Sequence, residues 1–262
     1  MADGSSALNP LRRLWAESRP AIGVWASIPS SFSAEVVARA GPDYVCIDQQ
    51  HSLVGEDVLP EMLRAIAAAG PAPLVRVGAN EPRLIGRALD LGAVGVIVPL
   101  IEDERAAAAA VAACRYPPHG TRSYGPIRAA EVFGSFEPDV LGGEVVCFAM
   151  VETRRGLDNL DAIAATPGLD GIYIGPADLA IALGLPPRSV APREAHSQAI
   201  RSILEACRRH GLVAGMHCAS GAEASARAGE GFGLITATMD WALLRSGATR
   251  ELELARSAAP GA

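Results

Sequence analysis

Between Val45 and Ser52 the chain reads VCIDQQHS. An apolar run of strand type meets Asp48, Gln49, Gln50 and His51 without the Gly, Ser or Pro of an ordinary turn. His51 alone reads as a structural or surface residue. Beside Asp48 and past a strand end it becomes a candidate general base, because imidazole changes charge near neutral pH. Arg76 ends the apolar run PLVRV, residues 73–77. A guanidinium there is either half of a buried ion pair or a fixed positive fork over an oxyanion.

Two acids end later apolar runs. Glu152 closes VVCFAMVE, and Asp178 lies in GIYIGPADLA. Taken singly, Glu152 would pair with Arg154 or Arg155, and Asp178 would complement the start of a helix. Taken together they suggest two oxygen ligands for a hard divalent cation such as Mg²⁺, Mn²⁺ or Co²⁺, with open positions for water and a chelating substrate. The chain leaves its strand through Gly175 and Pro176. The helix start there frees backbone N–H groups near Ala177 and Asp178, suited to a substrate carboxylate. Gly175, Ala177, Asp178 and Arg76 are therefore the expected substrate contacts. Of the other histidines, only His217, at the end of LVAGMHC, keeps a claim to the same place.

These residues need a scaffold that gathers strand ends. Apolar runs at 21–27, 44–48, 73–77, 95–99, 145–152, 171–175, 212–218 and 233–239 alternate with helix-periodic segments at 33–40, 57–69, 82–91, 102–114, 157–165, 194–210, 220–229 and 241–256. Runs apolar throughout suit parallel strands buried on both faces. Eight such repeats predict an α/β fold, a closed (β/α)8 TIM barrel, whose working residues sit at the C-terminal strand ends. An open doubly wound sheet is the alternative, but no GxGxxG follows the first strand. The segment 115–136 is the longest interruption, and part of it is expected below the barrel or against a neighbour. No linker divides the chain, so residues 1–262 read as one domain.

Composition narrows the function. Net charge is −6, against a nucleic-acid partner. Five scattered cysteines without a CxxC read as reduced core residues, and no apolar run approaches a membrane span or a signal core. A cytoplasmic protein with no membrane partner is expected. All 23 basic side chains are arginines, which leaves no amine for Schiff-base aldolase chemistry or for anchoring pyridoxal phosphate.

DYVCIDQQHS, the stretch from PLVRVGANEP to GTRSYGP, VETRRGLDNLDAI and GLDGIYIGPADLAIALG stand in one order along the chain. With these motifs the chain, over about residues 20–250, resembles the HpcH/HpaI aldolase family of metal-dependent class II pyruvate aldolases, which is similar to the phosphoenolpyruvate/pyruvate barrels. The resemblance implies that His51 is the base on the substrate hydroxyl and that Arg76 steadies a developing enolate. Glu152 and Asp178 would ligate the metal, and the backbone of Ala177 and Asp178 would hold the pyruvate carboxylate. Asp90 in RALDLG would raise the basicity of the histidine. Yet Asp90 precedes the fourth strand, at the opposite end of the barrel from its own mouth. It is expected to serve a neighbouring subunit, in a homo-oligomer that the family suggests is a hexamer with an exchanged C-terminal helix. Gln50 stands where the family often has Glu, and Met150 where it often has Gln. Met150 cannot donate a hydrogen bond to a substrate. Arg122 and Tyr124 either touch the distal end of the substrate or shape their own loop.

The expected reaction is reversible cleavage of a 4-hydroxy-2-oxo acid to pyruvate and an aldehyde through a metal-stabilised enolate. Oxaloacetate decarboxylation or a citrate-lyase-like cleavage at the same site is the alternative. A barrel that only binds a 2-oxo acid is the third reading.

Overall fold

The computed structural model describes residues 7–187 and 194–257. In chain order the elements are α1 (Pro10–Ala16), β1 (Ala21–Ala26), α2 (Ser31–Ala38), β2 (Tyr44–Asp48), α3 (Leu59–Ala69), β3 (Ala72–Arg76), α4 (Pro82–Asp90), β4 (Gly95–Val98) and α5 (Glu104–Cys114). There follow α6 (Ala129–Phe133), α7 (Pro138–Glu144), β5 (Val146–Val151), α8 (Arg154–Asp158), α9 (Leu160–Ala164), β6 (Gly171–Ile174), α10 (Pro176–Ala182), α11 (Glu194–His210), β7 (Val213–His217), α12 (Gly221–Glu230), β8 (Leu234–Met239) and α13 (Asp240–Ser257). The strands are parallel and close in order from β1 to β8. The expected TIM barrel is what forms, and every residue of β2 to β6 is buried, as strands sandwiched between barrel interior and helices must be.

The interior is a packed core. Tyr44 and Tyr173 both hydrogen-bond Thr236 Oγ1, at 2.8 and 2.6 Å. Their hydroxyls are thereby satisfied where no water reaches, and burial pushes both phenols up, so both stay neutral. Large and small residues alternate across strands: a Cβ on Gly171 would come within 2.2 Å of the Phe148 ring. This layer lies beneath the C-terminal strand ends. The N-terminal end is closed by Asn9, which caps α1 and donates to the carbonyls of Val94 and Glu144.

Some elements differ from the sequence reading. The helix expected over 157–165 is two helices, broken at Asn159, whose Nδ2 donates to Glu102 O at 2.9 Å. Four short helices, α1, α6, α7 and α10, were not in the periodicity. Each is 5–7 residues, too short to display a period. The last helix, α13, buries only its first residue, Asp240, and leaves Leu243, Leu244, Leu252 and Leu254 exposed. No helix among the described residues is long and apolar enough to cross a membrane.

Candidate active site

Asp48 and Arg76 are register partners on the adjacent strands β2 and β3. Arg76 grips the carboxylate with two parallel bonds, Nε to Oδ1 at 2.9 Å and Nη2 to Oδ2 at 2.7 Å. Both side chains are buried. Asp48 Oδ1 also accepts the backbone N–H of Gln50 (3.0 Å) and His51 (3.3 Å). Burial alone would raise the Asp48 carboxyl, but Arg76 and these two N–H groups outweigh it and hold it below its usual range. Asp48 therefore reaches His51 through the backbone: it fixes where the chain carrying the imidazole leaves the strand. The His51 side chain is exposed at the mouth and bonds no described residue.

Arg76 is held on three sides. Its guanidinium lies 4.4 Å over the Trp25 ring, and Nη1 faces only the Met150 sulfur, at 3.9 Å. Thioether sulfur is a weak acceptor. Nη1 is the nitrogen left for an oxyanion, and the other two are spent on holding it in place.

Glu152 follows β5. Its Oε1 accepts the N–H of Leu100 at 3.1 Å, while Oε2 is buried with no partner among the described residues. Leu100 holds φ +55°, an uncommon conformation for leucine that is kept where its N–H meets this carboxylate. Burial pushes Glu152 up to about 7, and the negative charge of Asp178 adds to the rise; the Leu100 N–H and Arg76 oppose it. The ion pair with Arg154 or Arg155 does not form, because Arg155 turns to Glu102 and Asp103. Asp178 stands exposed in the first turn of α10, with Gly175 as N-cap and Pro176 at N1. The N–H groups of Ala177 and Asp178 are among those a helix start leaves without an internal acceptor. Gly175 lies against the acid: a Cβ there would sit 2.3 Å from Glu152 Oε2 and 2.7 Å from Met150 Cε. Only glycine leaves the carboxylate where it is.

Two carboxylates near enough for the charge of Asp178 to raise Glu152, with Glu152 Oε2 unsatisfied, fit a hard divalent cation. Among the described residues no cluster of three or more His, Cys, Asp and Glu side chains forms. A pair of acids suits an ion that takes its remaining oxygens from water and substrate.

Asp90 stands elsewhere. It ends α4, at the N-terminal end of the barrel, and accepts a 2.7 Å bond from Arg122 Nη2. Burial raises the Asp90 carboxyl despite that bond. Arg122 is wholly buried and lies 4.7 Å over the Tyr116 ring, so within its own chain it does not reach the mouth. Tyr124 is exposed and donates to Phe136 O at 2.9 Å. The 115–136 segment thus does pack at the lower end. Trp25 ends the first apolar run, so the sequence places it at the mouth without a role, and the structure shows that it braces Arg76; sequence reasoning left out Leu100, which braces Glu152, and Asp240. Asp240 is buried and accepts the N–H groups of Ser27 and Ile28, fixing the loop after β1. The one signal for Trp25 was a bulky aromatic at a strand end, and nothing marked the leucine.

The family model described as HpcH/HpaI aldolase/citrate lyase matches residues 21–243. A hydroxypyruvate/pyruvate aldolase of Rhizorhabdus wittichii is 37% identical over 250 residues, covering 95% of this chain and 100% of that one. A 5-keto-4-deoxy-D-glucarate aldolase of Salmonella paratyphi A is 36% identical over 79% of this chain and 81% of its own. Among solved structures, a HpcH/HpaI aldolase/citrate lyase family protein from Burkholderia cenocepacia J2315 superposes with a TM-score of 0.85 at 35% identity, covering 94% of this chain and 98% of that one.

Proposed function

The chain belongs to the HpcH/HpaI aldolase/citrate lyase family and is a carbon–carbon lyase; on that premise we propose that it reversibly cleaves a 4-hydroxy-2-oxo acid to pyruvate and an aldehyde. The observation that carries this reading is the Arg76 fork, locked by Asp48, beside a Glu152 whose Oε2 has no partner.

Glu152 and Asp178 would hold the divalent cation, Mg²⁺, Mn²⁺ or Co²⁺, which when bound supplies Lewis-acid polarisation of the 2-oxo group. The backbone N–H groups of Ala177 and Asp178 receive the substrate carboxylate, and Gly175 keeps the wall there free of side chain. His51 takes the proton from the 4-hydroxyl. The C3–C4 bond then breaks, its electron pair moves toward the 2-oxo oxygen, and the aldehyde leaves. Arg76 stabilises the negative charge that develops on that oxygen without having to reorganise, because Asp48 and Trp25 already fix it. A proton returned to C3 gives pyruvate. No step needs an amine, in keeping with a sequence that has no lysine.

The working unit is the single barrel, assembled as a homo-oligomer, with a hexamer as the family's arrangement. The exposed leucines of α13 support its exchange onto a second copy, and the place of Asp90 supports a site completed across that contact. Five free, buried cysteines and the enzyme class suit the cytoplasm.

The test is pyruvate release from a set of 4-hydroxy-2-oxo acids by protein stripped of metal, then resupplied with Mg²⁺, Mn²⁺ or Co²⁺. Activity should vanish and return with metal. Full turnover in protein shown to be metal-free rejects the proposal. Turnover of oxaloacetate alone would assign a decarboxylase instead.

A further inference from the structure

One side chain of the barrel mouth has no task in the reaction above. His217 ends β7, in register with Thr236 of β8. Its ring stands edge-on to Trp25, with centroids 4.9 Å apart and planes at 76°. Trp25 is the ring that it shares with the chemistry: Arg76 lies over the same indole at 4.4 Å, and Tyr173 stacks on it at 5.8 Å. The His217 ring is thus placed one aromatic ring away from the guanidinium that meets the oxyanion.

Nothing among the described residues satisfies it. His217 Nδ1 is buried without a partner, no described residue bonds either ring nitrogen, and Trp25 Nε1 is likewise buried and unpaired. Folded proteins leave few such groups, and each asks for a water, an ion or a ligand. Burial and then the Arg76 charge depress His217 to about 4, so the ring is neutral near pH 7. A neutral imidazole offers one donor and one acceptor. That matches a hydroxyl, which also gives and takes one proton, better than a carboxylate, which needs donors only. The nearby guanidinium already serves anions.

We propose that His217, held by Trp25, is a specificity-determining residue that hydrogen-bonds a hydroxyl group carried by the substrate, so that the lyase favours hydroxylated over unsubstituted substrates. The inference rests on the aldolase reading and names its substrate class. A site built around such a bond rejects the analogue that lacks it, because the buried nitrogen is then left unpaired. The hydroxyl can belong to the 2-oxo acid half or to the aldehyde half.

Two comparisons in the synthetic direction tell these apart: hydroxypyruvate against pyruvate with one aldehyde, and glycolaldehyde against acetaldehyde with one 2-oxo acid. In His217→Phe the aromatic contact with Trp25 is kept and both nitrogens are lost. The ratio of kcat/KM, hydroxylated over unsubstituted, is expected to fall about ten-fold or more in one arm, and His217→Gln should restore part of it. Ratios within about two-fold of wild type in both arms overturn the proposal. A second measurement needs no variant and no turnover. In protein labelled with ¹⁵N-histidine, the His217 ring nitrogens should shift with hydroxypyruvate or glycolaldehyde and not with pyruvate or acetaldehyde. Equal shifts within each pair also overturn it. Absence of any carbon–carbon bond cleavage or formation would sink the aldolase reading, while the nitrogen shifts still report on His217.

Discussion

Gly175→Ala is the sharpest test of how the acidic pair is built. Gly175 has φ −90°, an ordinary value, so the alanine brings no backbone strain. What it brings is a methyl group 2.3 Å from Glu152 Oε2, where ordinary contact begins near 3.4 Å. Oxygen and methyl must separate by the difference, about 1.1 Å. The second neighbour, Met150 Cε at 2.7 Å, is the end of a flexible chain and can swing away. The carboxylate cannot do so freely, because Oε1 is tied to the Leu100 N–H. The acid therefore rotates off its place or the β6–α10 turn backs away, and either breaks the match between Glu152 and Asp178. A misplacement of about 1 Å at a reacting centre costs on the order of 100-fold in rate. Overpacking of this kind costs about 1–3 kcal/mol of stability, which a barrel of this size survives. The assay is kcat for pyruvate release together with Mn²⁺ affinity by electron paramagnetic resonance, on protein whose thermal melt shows it folded. Loss of roughly two orders of magnitude in kcat with weakened Mn²⁺ binding is expected. A folded Gly175→Ala protein within about three-fold of wild type in both measures would refute the reasoning.

Asp48→Ala leaves the buried Arg76 without its counter-charge and should cost about 3–5 kcal/mol in urea unfolding; a loss below about 1 kcal/mol would mean that the fork is not what holds the arginine. His217 is depressed from 6.5 to about 4, so between those values the unfolded chain binds a proton that the folded chain refuses. Its contribution to stability is therefore present above pH 6.5 and lost as pH falls to about 4, by up to roughly 3 kcal/mol, and His217→Phe should flatten that part of the profile. Asp48, held low, adds loss in the same direction as its carboxylate is protonated. Mixing inactive His51→Ala subunits with Asp90→Asn subunits should restore turnover if Asp90 serves a neighbour's histidine. A mixture shown to exchange subunits but no more active than its parts would place Asp90 in a purely local pair with Arg122.

The strand ends show how far the sequence reached. The apolar runs gave all eight strands to within about a residue or two, because a strand buried on both faces must be apolar along its whole length. Asp48, Arg76 and Glu152 were visible because a charge that ends such a run is costly and calls for a reason. Trp25 and Leu100 carry no such mark: a tryptophan and a leucine are what a core contains anyway. Their roles come from a cation–π contact and a backbone N–H aimed across strands. The broken helix at Asn159 escaped for a related reason, since its break is set by a bond to Glu102 far back in the chain.

By itself the sequence determined the barrel, its order of elements, the short list of polar residues at the strand ends, and the exclusion of amine chemistry, since patterning and residue type are local properties. Tertiary structure alone decided who holds whom. Asp48 proved to be the clamp of Arg76 and not the side-chain partner of His51; Glu152 kept an oxygen free instead of pairing with Arg155; Arg122 turned down to Asp90. Such pairings depend on distances between residues tens of positions apart in the chain, and closing a sheet into a barrel is what sets those distances.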